Sequence, residues 1–199
     1  MPTVYGTSTS GNCHKAKMVF EVTRQPYAWH EIDLMKGETR TPEFLRLNPN
    51  GQVPVLVLDD GSTLAESNAI LWYVGEETEL VPAERLQRAR MLQWMFFEQY
   101  THEPAIAVAR FIRVFLKRTD DARLPELVRR GDKALAIMER HLADRAYFAG
   151  DRLSLADLSL YAYTHKAADG GFDLGAYPAV SAWVTRCQTQ RGLTVMPSP

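Results

Sequence analysis

The chain has 199 residues, of which 46% are hydrophobic and 24% are charged, and these are ordinary values for a globular protein long enough to form one large domain or two small ones. Its formal net charge of −1 predicts neither a nucleic-acid partner nor binding to an anionic membrane surface. No apolar run reaches the roughly 18 residues that a membrane span needs, and the first residues lack the basic region of a signal peptide.

The two cysteines, Cys13 and Cys187, are far apart in the sequence and form no C-x-x-C or zinc-type spacing. Isolated cysteines of this kind are typical of a reducing compartment, so we expect a cytoplasmic protein. The five histidines are scattered along the chain. We therefore expect no metal site.

The first third of the sequence predicts a strand, a helix and a second strand. Residues 3–5 predict a short strand, a polar loop follows, and apolar residues recur at helical spacing over 13–23. Pro26 ends this helix, and residues 27–34 alternate as a second strand does. A short helix should follow at Pro42, because proline suits the first turn of a helix.

The segment 48–57 carries the strongest local signal in the chain. Asn50-Gly51 is a turn signal, and Val53-Pro54 opens an apolar, β-branched run that predicts a buried strand with Pro54 at its first residue. A cis Val53-Pro54 bond would leave the backbone N–H and C=O groups of Val53 facing outward. An extended peptide could then bind there as an additional strand.

A hairpin turn at 59–62 separates this strand from a predicted helix over 67–75. Glu66 and Ser67 fall at the start of that helix. The first turn of a helix has free N–H groups and a partial positive charge, which favour a carboxylate. The sequence thus predicts a peptide-binding strand edge beside a carboxylate-binding helix end.

Residues after the charged segment 77–82 show helical periodicity throughout. We predict a long helix over 84–119 with a kink at Pro104, a helix over 124–142 and a last helix from Pro178. Another helix should begin at Ser154-Leu155-Ala156-Asp157, where Ser154 and Asp157 have the spacing of a capping box. We interpret Asp157 as structural rather than catalytic.

These motifs resemble those of the cytosolic glutathione S-transferases. The pattern N-P-x-G-x-V-P-x-L, a hairpin and E-S-x-A-I is similar to their thioredoxin-fold half, and S-x-A-D is similar to a folding element of their second domain. The loop before residue 13 and the long helix resemble bacterial members with a serine-type or nu/beta-like loop. The resemblance implies an α/β plus all-α protein: a thioredoxin-like domain (βαβ-ββα) over 1–76, a linker over 77–82 and an all-α domain over 83–199.

The resemblance also implies glutathione as co-substrate, conjugated as its thiolate to small hydrophobic electrophiles. Two other functions stay open: glutathione-dependent disulfide or peroxide reduction, and non-catalytic glutathione binding in a stress protein. Family members generally form homodimers. The residues expected to bind glutathione are Gln52, Val53, Pro54, Glu66, Ser67 and Lys36.

The group that holds the thiolate is expected in the loop between residues 5 and 13. Ser10 is the first candidate and Asn12 the second, acting either with Ser10 or in its place. Ser8, Tyr5 and Cys13 are weaker candidates, since Tyr5 has the pattern of a packed strand residue and Cys13 that of a small buried hydrophobe.

Three further expectations concern the surroundings of this loop. His14 and Lys15 are interpreted as a solvated helix face, although Lys15, like Lys36, would attract an anionic peptide. The electrophile pocket is expected between the domains, lined by the loop near Ser8 and by residues of the long helix, namely Tyr100, Ile106, Arg110 and Phe111.

Overall fold

A computed structural model describes residues 1–198, which begin with a four-stranded mixed sheet. Its strands are β1 (Thr3–Gly6), β2 (Ala28–Glu31), β3 (Val55–Val57) and β4 (Thr63–Ala65), in the spatial order β2-β1-β3-β4. Strand β1 pairs with β2 in parallel and with β3 antiparallel, and β3 pairs antiparallel with β4. This confirms the predicted thioredoxin-like arrangement.

Three helices and a short 3₁₀ turn complete this half of the chain: α1 (Gly11–Thr23), the turn Glu38–Arg40, α2 (Pro42–Leu47) and α3 (Ser67–Gly75). Helix α1 begins two residues before the predicted start. The reason is Ser10, which is its N-cap and accepts a hydrogen bond from the backbone N–H of Cys13 at 3.4 Å.

The rest of the chain is helical, as predicted. Its α-helices are α4 (Arg85–Phe97), α5 (Glu103–Arg110), α6 (Leu124–Leu142), α7 (Leu155–Thr164) and α8 (Pro178–Gln188). The predicted long helix is interrupted by π-helical segments at Glu98–His102 and Phe111–Phe115, and Pro104 lies in the first turn of α5, where a proline is well tolerated. Within residues 1–198, none of the helices is both long and apolar enough to cross a membrane.

One large apolar core joins the sheet to the helical half. It contains Val4 and Leu56 from the sheet, Leu71 from α3, and Leu158 and Trp183 from the helical half. A second, smaller cluster, formed by Ile32, Phe44 and Val55, lies apart from it. Helix α1 packs against both α3 and α7. Its N-terminal loop is therefore placed where the two halves meet.

Asp157 is completely buried at the start of α7, and the capping box with Ser154 is confirmed. One carboxylate oxygen accepts from the backbone N–H and the hydroxyl of Ser154, at 2.9 and 2.7 Å. The other accepts from the N–H of Phe148 at 3.1 Å and from Nε1 of Trp183 at 2.9 Å. Because protein donors occupy both oxygens, Asp157 has a structural role.

Candidate active site

A polar cavity of about 630 Å³ lies beside the first turns of α1 and α3. This cavity is called the polar cavity below, to distinguish it from a neighbouring apolar one. Seven of the eight residues that the sequence predicted for the site line it, although they come from separate parts of the chain: Ser10, Asn12, Gln52, Val53, Pro54, Glu66 and Ser67. The remaining lining includes Arg40 from the 3₁₀ turn, Asn48, and Gln99 and Glu103 from the helical half.

Lys36 is the predicted residue that lies apart from this group. Its side chain is 76% exposed and pairs with the Asp33 carboxylate at 3.0 Å. The cation on the cavity wall is Arg40, whose Nη1 donates to the carbonyl of Asn50 at 3.3 Å. Sequence reasoning missed Arg40, because nothing in its neighbourhood distinguishes it from a surface arginine.

The Val53-Pro54 peptide bond is cis, as predicted. Pro54 precedes β3 rather than forming its first residue, because the ladder begins where Val55 pairs with Tyr5 and Ala65. The preceding turn is held by Asn48, whose Nδ2 donates to the Gln52 carbonyl at 2.8 Å. The backbone of Val53 thus lies beyond the paired strand and on the cavity wall.

Glu66 and Ser67 line the polar cavity at the N-terminal end of α3. Ser67 is the first residue of α3 and is buried, whereas Glu66 is exposed with a backbone φ of +69°. Residues other than glycine seldom adopt positive φ, and strained backbone of this kind concentrates at functional sites. The Glu66 side chain makes no capping hydrogen bond to α3, so its carboxylate stays available to a ligand.

Ser10 and Asn12 both line the polar cavity, and each retains a donor. The Ser10 oxygen accepts from Cys13 as the α1 N-cap, which leaves its O–H free to donate. The Asn12 side-chain oxygen accepts from the Ser67 hydroxyl at 3.1 Å, and its Nδ2 donates to Glu103 at 3.4 Å. A second Nδ2–H of Asn12 remains.

A neighbouring apolar cavity of about 380 Å³ lies between the loops that follow β1 and β2 and the helical stretch of α5 and Phe111–Phe115. Ser10, Leu34 and Phe111 line both cavities. The other residues of this apolar cavity are Thr7, Thr9, Glu31, Ile32, Asp33, Met35, Ala107, Arg110, Phe115 and Tyr163. The hydroxyl of Ser10 therefore lies at the junction of a polar and an apolar cavity.

Models of one protein family match both halves of the chain. The description "Glutathione S-transferase, N-terminal domain" matches residues 9–77, and "Glutathione S-transferase, C-terminal domain" matches residues 94–190. The chain belongs to the glutathione S-transferase family.

Individual relatives agree with this assignment. A glutathione S-transferase crystal structure from Pseudomonas fluorescens is 46% identical, covers 98% of both chains and has a TM-score of 0.95. Glutathione S-transferase 2 of Anopheles gambiae is 32% identical over 180 residues, which are 87% of this chain and 84% of that protein. The disulfide-bond oxidoreductase YfcG of Escherichia coli is 28% identical, over 90% of this chain and 86% of its own. These identities favour transfer over disulfide reduction.

The weaker thiolate candidates of this transferase lie outside the two cavities. Tyr5 packs against the ring of His30, with ring centroids 4.6 Å apart, and Ser8 donates its N–H and hydroxyl to Glu31 at 2.9 and 3.2 Å. Cys13 is fully buried, and burial raises the pKa of its thiol to about 12, so this thiol stays protonated at neutral pH. Ser10 and Asn12 remain as the donors nearest to the junction.

His14 and Lys15 are buried, so their interpretation as a solvated face was wrong. Nε2 of His14 donates to the Thr194 carbonyl at 2.8 Å, and Nζ of Lys15 pairs with the Glu98 carboxylate at 2.7 Å. These two side chains are buried because α7 and the last residues of the described chain cover the side of α1 that a lone thioredoxin-like domain would expose.

The structure divides the residues that were expected to line the electrophile pocket. Arg110 and Phe111 line the apolar cavity, but Tyr100 is 84% exposed and Ile106 is buried in the core. Tyr100 lies within the π-helical segment at Glu98–His102, and a π turn holds more residues than an α turn, so the spacing of an uninterrupted helix does not place these side chains.

Three contacts of the site had no sequence signal. The buried Arg110 donates from Nη1 to the Thr9 carbonyl at 3.0 Å and from Nε to Asp169 at 3.2 Å, which holds the loop before Ser10. The Tyr163 phenol, whose pKa burial raises, accepts from the backbone N–H of Asn12 at 3.3 Å.

Among residues 1–198, no three His, Cys, Asp or Glu side chains come together in a way that could hold a metal ion.

Proposed function

We propose that the protein binds glutathione in the polar cavity, holds its sulfur as the thiolate at Ser10 and Asn12, and transfers it to small hydrophobic electrophiles in the apolar cavity. The observation that carries this proposal is the position of Ser10 on both cavities. The reacting sulfur must contact the enzyme's donor on one side and the electrophile on the other, and only a junction of this kind allows both.

The two ends of the tripeptide have different partners in this proposal. The cysteinyl unit pairs with the backbone of Val53 beside Gln52 and Pro54, as an added strand does. The γ-glutamyl carboxylate meets the N–H and hydroxyl of Ser67 at the positive end of α3, and the γ-glutamyl ammonium meets Glu66. Arg40, on the cavity wall, is suited to the glycyl carboxylate. Lys36 attracts the anionic peptide from outside the cavity.

The chemistry requires an ionised thiol, because the thiolate is the nucleophile. A hydrogen bond to a charged group contributes about 1.5–3 kcal/mol. At roughly 1.4 kcal/mol per pKa unit, one such bond lowers the thiol pKa by about one to two units. The thiol proton passes to solvent, the sulfur then forms a bond to the electrophilic carbon, and the leaving group departs with the electron pair of the broken bond.

A homodimer is part of the proposal. An exposed groove of about 570 Å³ runs between α3 and α4 and is lined by Leu64, Glu66, Asn68, Ala69, Trp72, Tyr73, Leu92, Met95, Phe96 and Gln99. Within it, Tyr73 is 50% exposed and Phe96 is 68% exposed. A contiguous exposed apolar surface of this kind is typical of interaction sites. We propose that a second copy covers it, with the first domain of one chain on the long helix of the other.

The domain boundary is proposed within 77–82. No helix or strand of the described chain lies between Gly75 and Arg85, which is consistent with a linker between domains over 1–76 and 83–199.

The cytoplasm is the proposed location, because Cys13 and Cys187 are both unbonded and a reducing compartment keeps them so.

Two assays performed side by side test this function: conjugation of glutathione to an aryl halide, and reduction of hydroxyethyl disulfide by glutathione. We expect the first to be the faster reaction. Disulfide reduction without conjugation would favour the reductase alternative. Glutathione binding in a calorimeter with neither activity would indicate the non-catalytic alternative.

A further inference from the structure

Residues 193–198, which follow α8, contain neither helix nor strand and are called segment 193–198 below. The side chains of Leu193 and Met196 are buried, and Leu193 belongs to the large apolar core. Val195, between them, is exposed. Two apolar side chains therefore attach this segment to the rest of the molecule.

Two backbone groups of segment 193–198 also bind histidine rings. Nε2 of His14 on α1 donates to the Thr194 carbonyl at 2.8 Å, and the Met196 N–H donates to Nε2 of His165 at 3.0 Å. His165 directly follows α7, and the two rings are neighbours, with their centroids 5.5 Å apart. The segment thus lies where α1 and α7 meet, and it binds one histidine from each side.

The partners of His165 determine its protonation state. A carbonyl oxygen can only accept, so Nδ1 of His165 must donate its hydrogen to the Tyr161 carbonyl, 2.7 Å away. A backbone N–H can only donate, so Nε2 must accept from Met196. A neutral ring with its hydrogen on Nδ1 meets both conditions. A positively charged ring does not, because its second N–H would face the Met196 N–H.

We propose that His165 is an acid-sensitive anchor of segment 193–198: a proton at Nε2 abolishes the hydrogen bond from Met196, sets two N–H groups against each other and releases the segment from α1 and α7. His14 differs from His165, because its Nε2–H is able to donate to Thr194 in both protonation states. Release of the segment does not involve glutathione, so it goes beyond the proposed function.

The charged and titratable groups around the two rings come from α1, α5 and α7 and from the residues after α7. They are Lys17 beside His14, Arg110 with its partner Asp169, Lys166, and Tyr161, whose ring stacks on His165. Burial lowers the pKa of His165 to about 4, the Tyr161 carbonyl opposes this shift, and the charges of His14, Lys166 and Arg110 add to it.

Only some of these influences change when the segment leaves. The Tyr161 carbonyl and ring belong to α7, so they stay with His165 in either state. The Met196 N–H and the burial that the segment provides are lost on release. These two terms therefore couple the proton on His165 to the position of segment 193–198.

The direction of the pH dependence follows from this coupling. With the segment attached, the pKa of His165 is about 4, and on release it rises towards the ordinary value of about 6.5. The attached state binds the proton more weakly, so attachment is strongest above about pH 6.5 and weakens as the pH falls to about 4. One proton changes the release equilibrium by at most about tenfold per pH unit.

Hydrogen exchange of the Met196 amide measures the release. Its protection factor, which is the intrinsic exchange rate divided by the observed rate, should fall at least about tenfold between about pH 6.5 and about pH 4.5. The internal control is the Ile70 amide, which donates to the Glu66 carbonyl within α3 and should stay protected. Constant protection of Met196, or an equal loss at Ile70, would overturn the proposal.

The variant His165→Gln removes the titration and keeps an acceptor, since a glutamine side-chain oxygen accepts from an N–H and takes up no proton in this range. We expect Met196 to be equally protected at both pH values in this variant. His30→Gln makes the same change at an exposed histidine of β2 and should retain the fall seen in the wild type. A fall in His165→Gln as large as in the wild type would refute the role of His165.

A second measurement on the wild type decides the matter if His165→Gln does not fold or does not hold the segment. Nitrogen-15 chemical shifts of the histidine rings show which ring nitrogen carries the hydrogen. We expect the hydrogen of His165 on Nδ1, and a ring that titrates well below the ordinary pKa of about 6.5. A hydrogen on Nε2, or an ordinary pKa while Met196 stays protected, contradicts the proposal.

Discussion

The backbone N–H of Asn12 donates to the phenolic oxygen of Tyr163 across a sequence separation of 151 residues. Gly11, the preceding residue, lies against the same ring: a Cβ at Gly11 would be 2.6 Å from it. The loop that carries the proposed thiolate donors therefore packs against Tyr163 of α7, and its position depends on packing between the two halves of the chain.

The Gly11→Ala variant should be destabilised by about 1–3 kcal/mol, because the added methyl group overlaps the Tyr163 ring and one of the two must move. Denaturant unfolding measures this loss. The control is the same substitution in a Tyr163→Leu background, where the smaller side chain should make Gly11→Ala nearly neutral. An equal loss in both backgrounds would show that the ring is not the cause.

Ser10→Ala should raise the pKa of the bound glutathione thiol by about one to two units. Conjugation near neutral pH should fall roughly ten- to a hundredfold, with little change in affinity, and higher pH should restore the rate. If Asn12 is instead the principal donor, Asn12→Ala will show this loss of rate and its recovery at higher pH, and Ser10→Ala will not. Ser8→Ala, in the same loop but outside both cavities, is the matched control. If neither Ser10 nor Asn12 shifts the titration, the thiolate is held by another group.

Ser67→Ala should weaken glutathione binding by about 1.5–3 kcal/mol, because one charge-assisted hydrogen bond to the γ-glutamyl carboxylate is lost. Calorimetry measures this as a Kd that is roughly ten- to a hundredfold larger. Ser62→Ala, in the exposed hairpin turn, should bind as tightly as the wild type. An unchanged Kd in Ser67→Ala would refute the assignment of the carboxylate to this helix end.

Phe96→Lys should yield a monomer of 22.5 kDa at micromolar concentrations at which the wild type sediments as a dimer, because a charge then occupies the apolar groove between α3 and α4. Leu116→Lys replaces another exposed apolar residue, 39% exposed and outside the groove, and should stay dimeric. A wild-type protein that sediments as a monomer contradicts the proposed dimer.

The stability contributed by Asp157 should depend on pH. Burial raises the pKa of its carboxyl from 3.8 to about 6, although Ser154 and Trp183 donate to it. The folded state then keeps a proton that the unfolded state releases, so this contribution is largest below about pH 4 and declines as the pH rises to about 6. Two pKa units correspond to about 3 kcal/mol.

Asp157→Asn isolates this effect, because the amide does not titrate. The variant should be less stable than the wild type, since its NH₂ group faces N–H and O–H donors. The difference in the free energy of unfolding should be larger at about pH 4.5 than at about pH 7. A difference that grows with rising pH would show that the carboxyl is ionised in the folded protein.

Local patterns in the sequence were sufficient for much of the fold and of the site. Turn residues, the prolines at 42 and 178, and the spacing of Ser154 and Asp157 depend on interactions within a few residues, so they predicted helix starts and the hairpin correctly. Strand edges and helix ends also have short-range signals, and the three residues placed there, Val53, Glu66 and Ser67, all line the polar cavity.

Other features were decided only when distant segments packed together. The burial of Lys15, its pairing with Glu98 and the contact of Tyr163 with Asn12 join residues 83 to 151 positions apart, and neither periodicity nor a motif encodes such a separation. The π-helical segments interrupt the predicted long helix, and Phe111 and Phe115 of the second segment line the apolar cavity. The sequence by itself determined the family fold and the strand edge and helix end that line the polar cavity, since these rest on local backbone preferences. The tertiary structure decided the apolar cavity and the buried ion pair of Lys15 and Glu98, because burial and charge pairing depend on which surfaces meet.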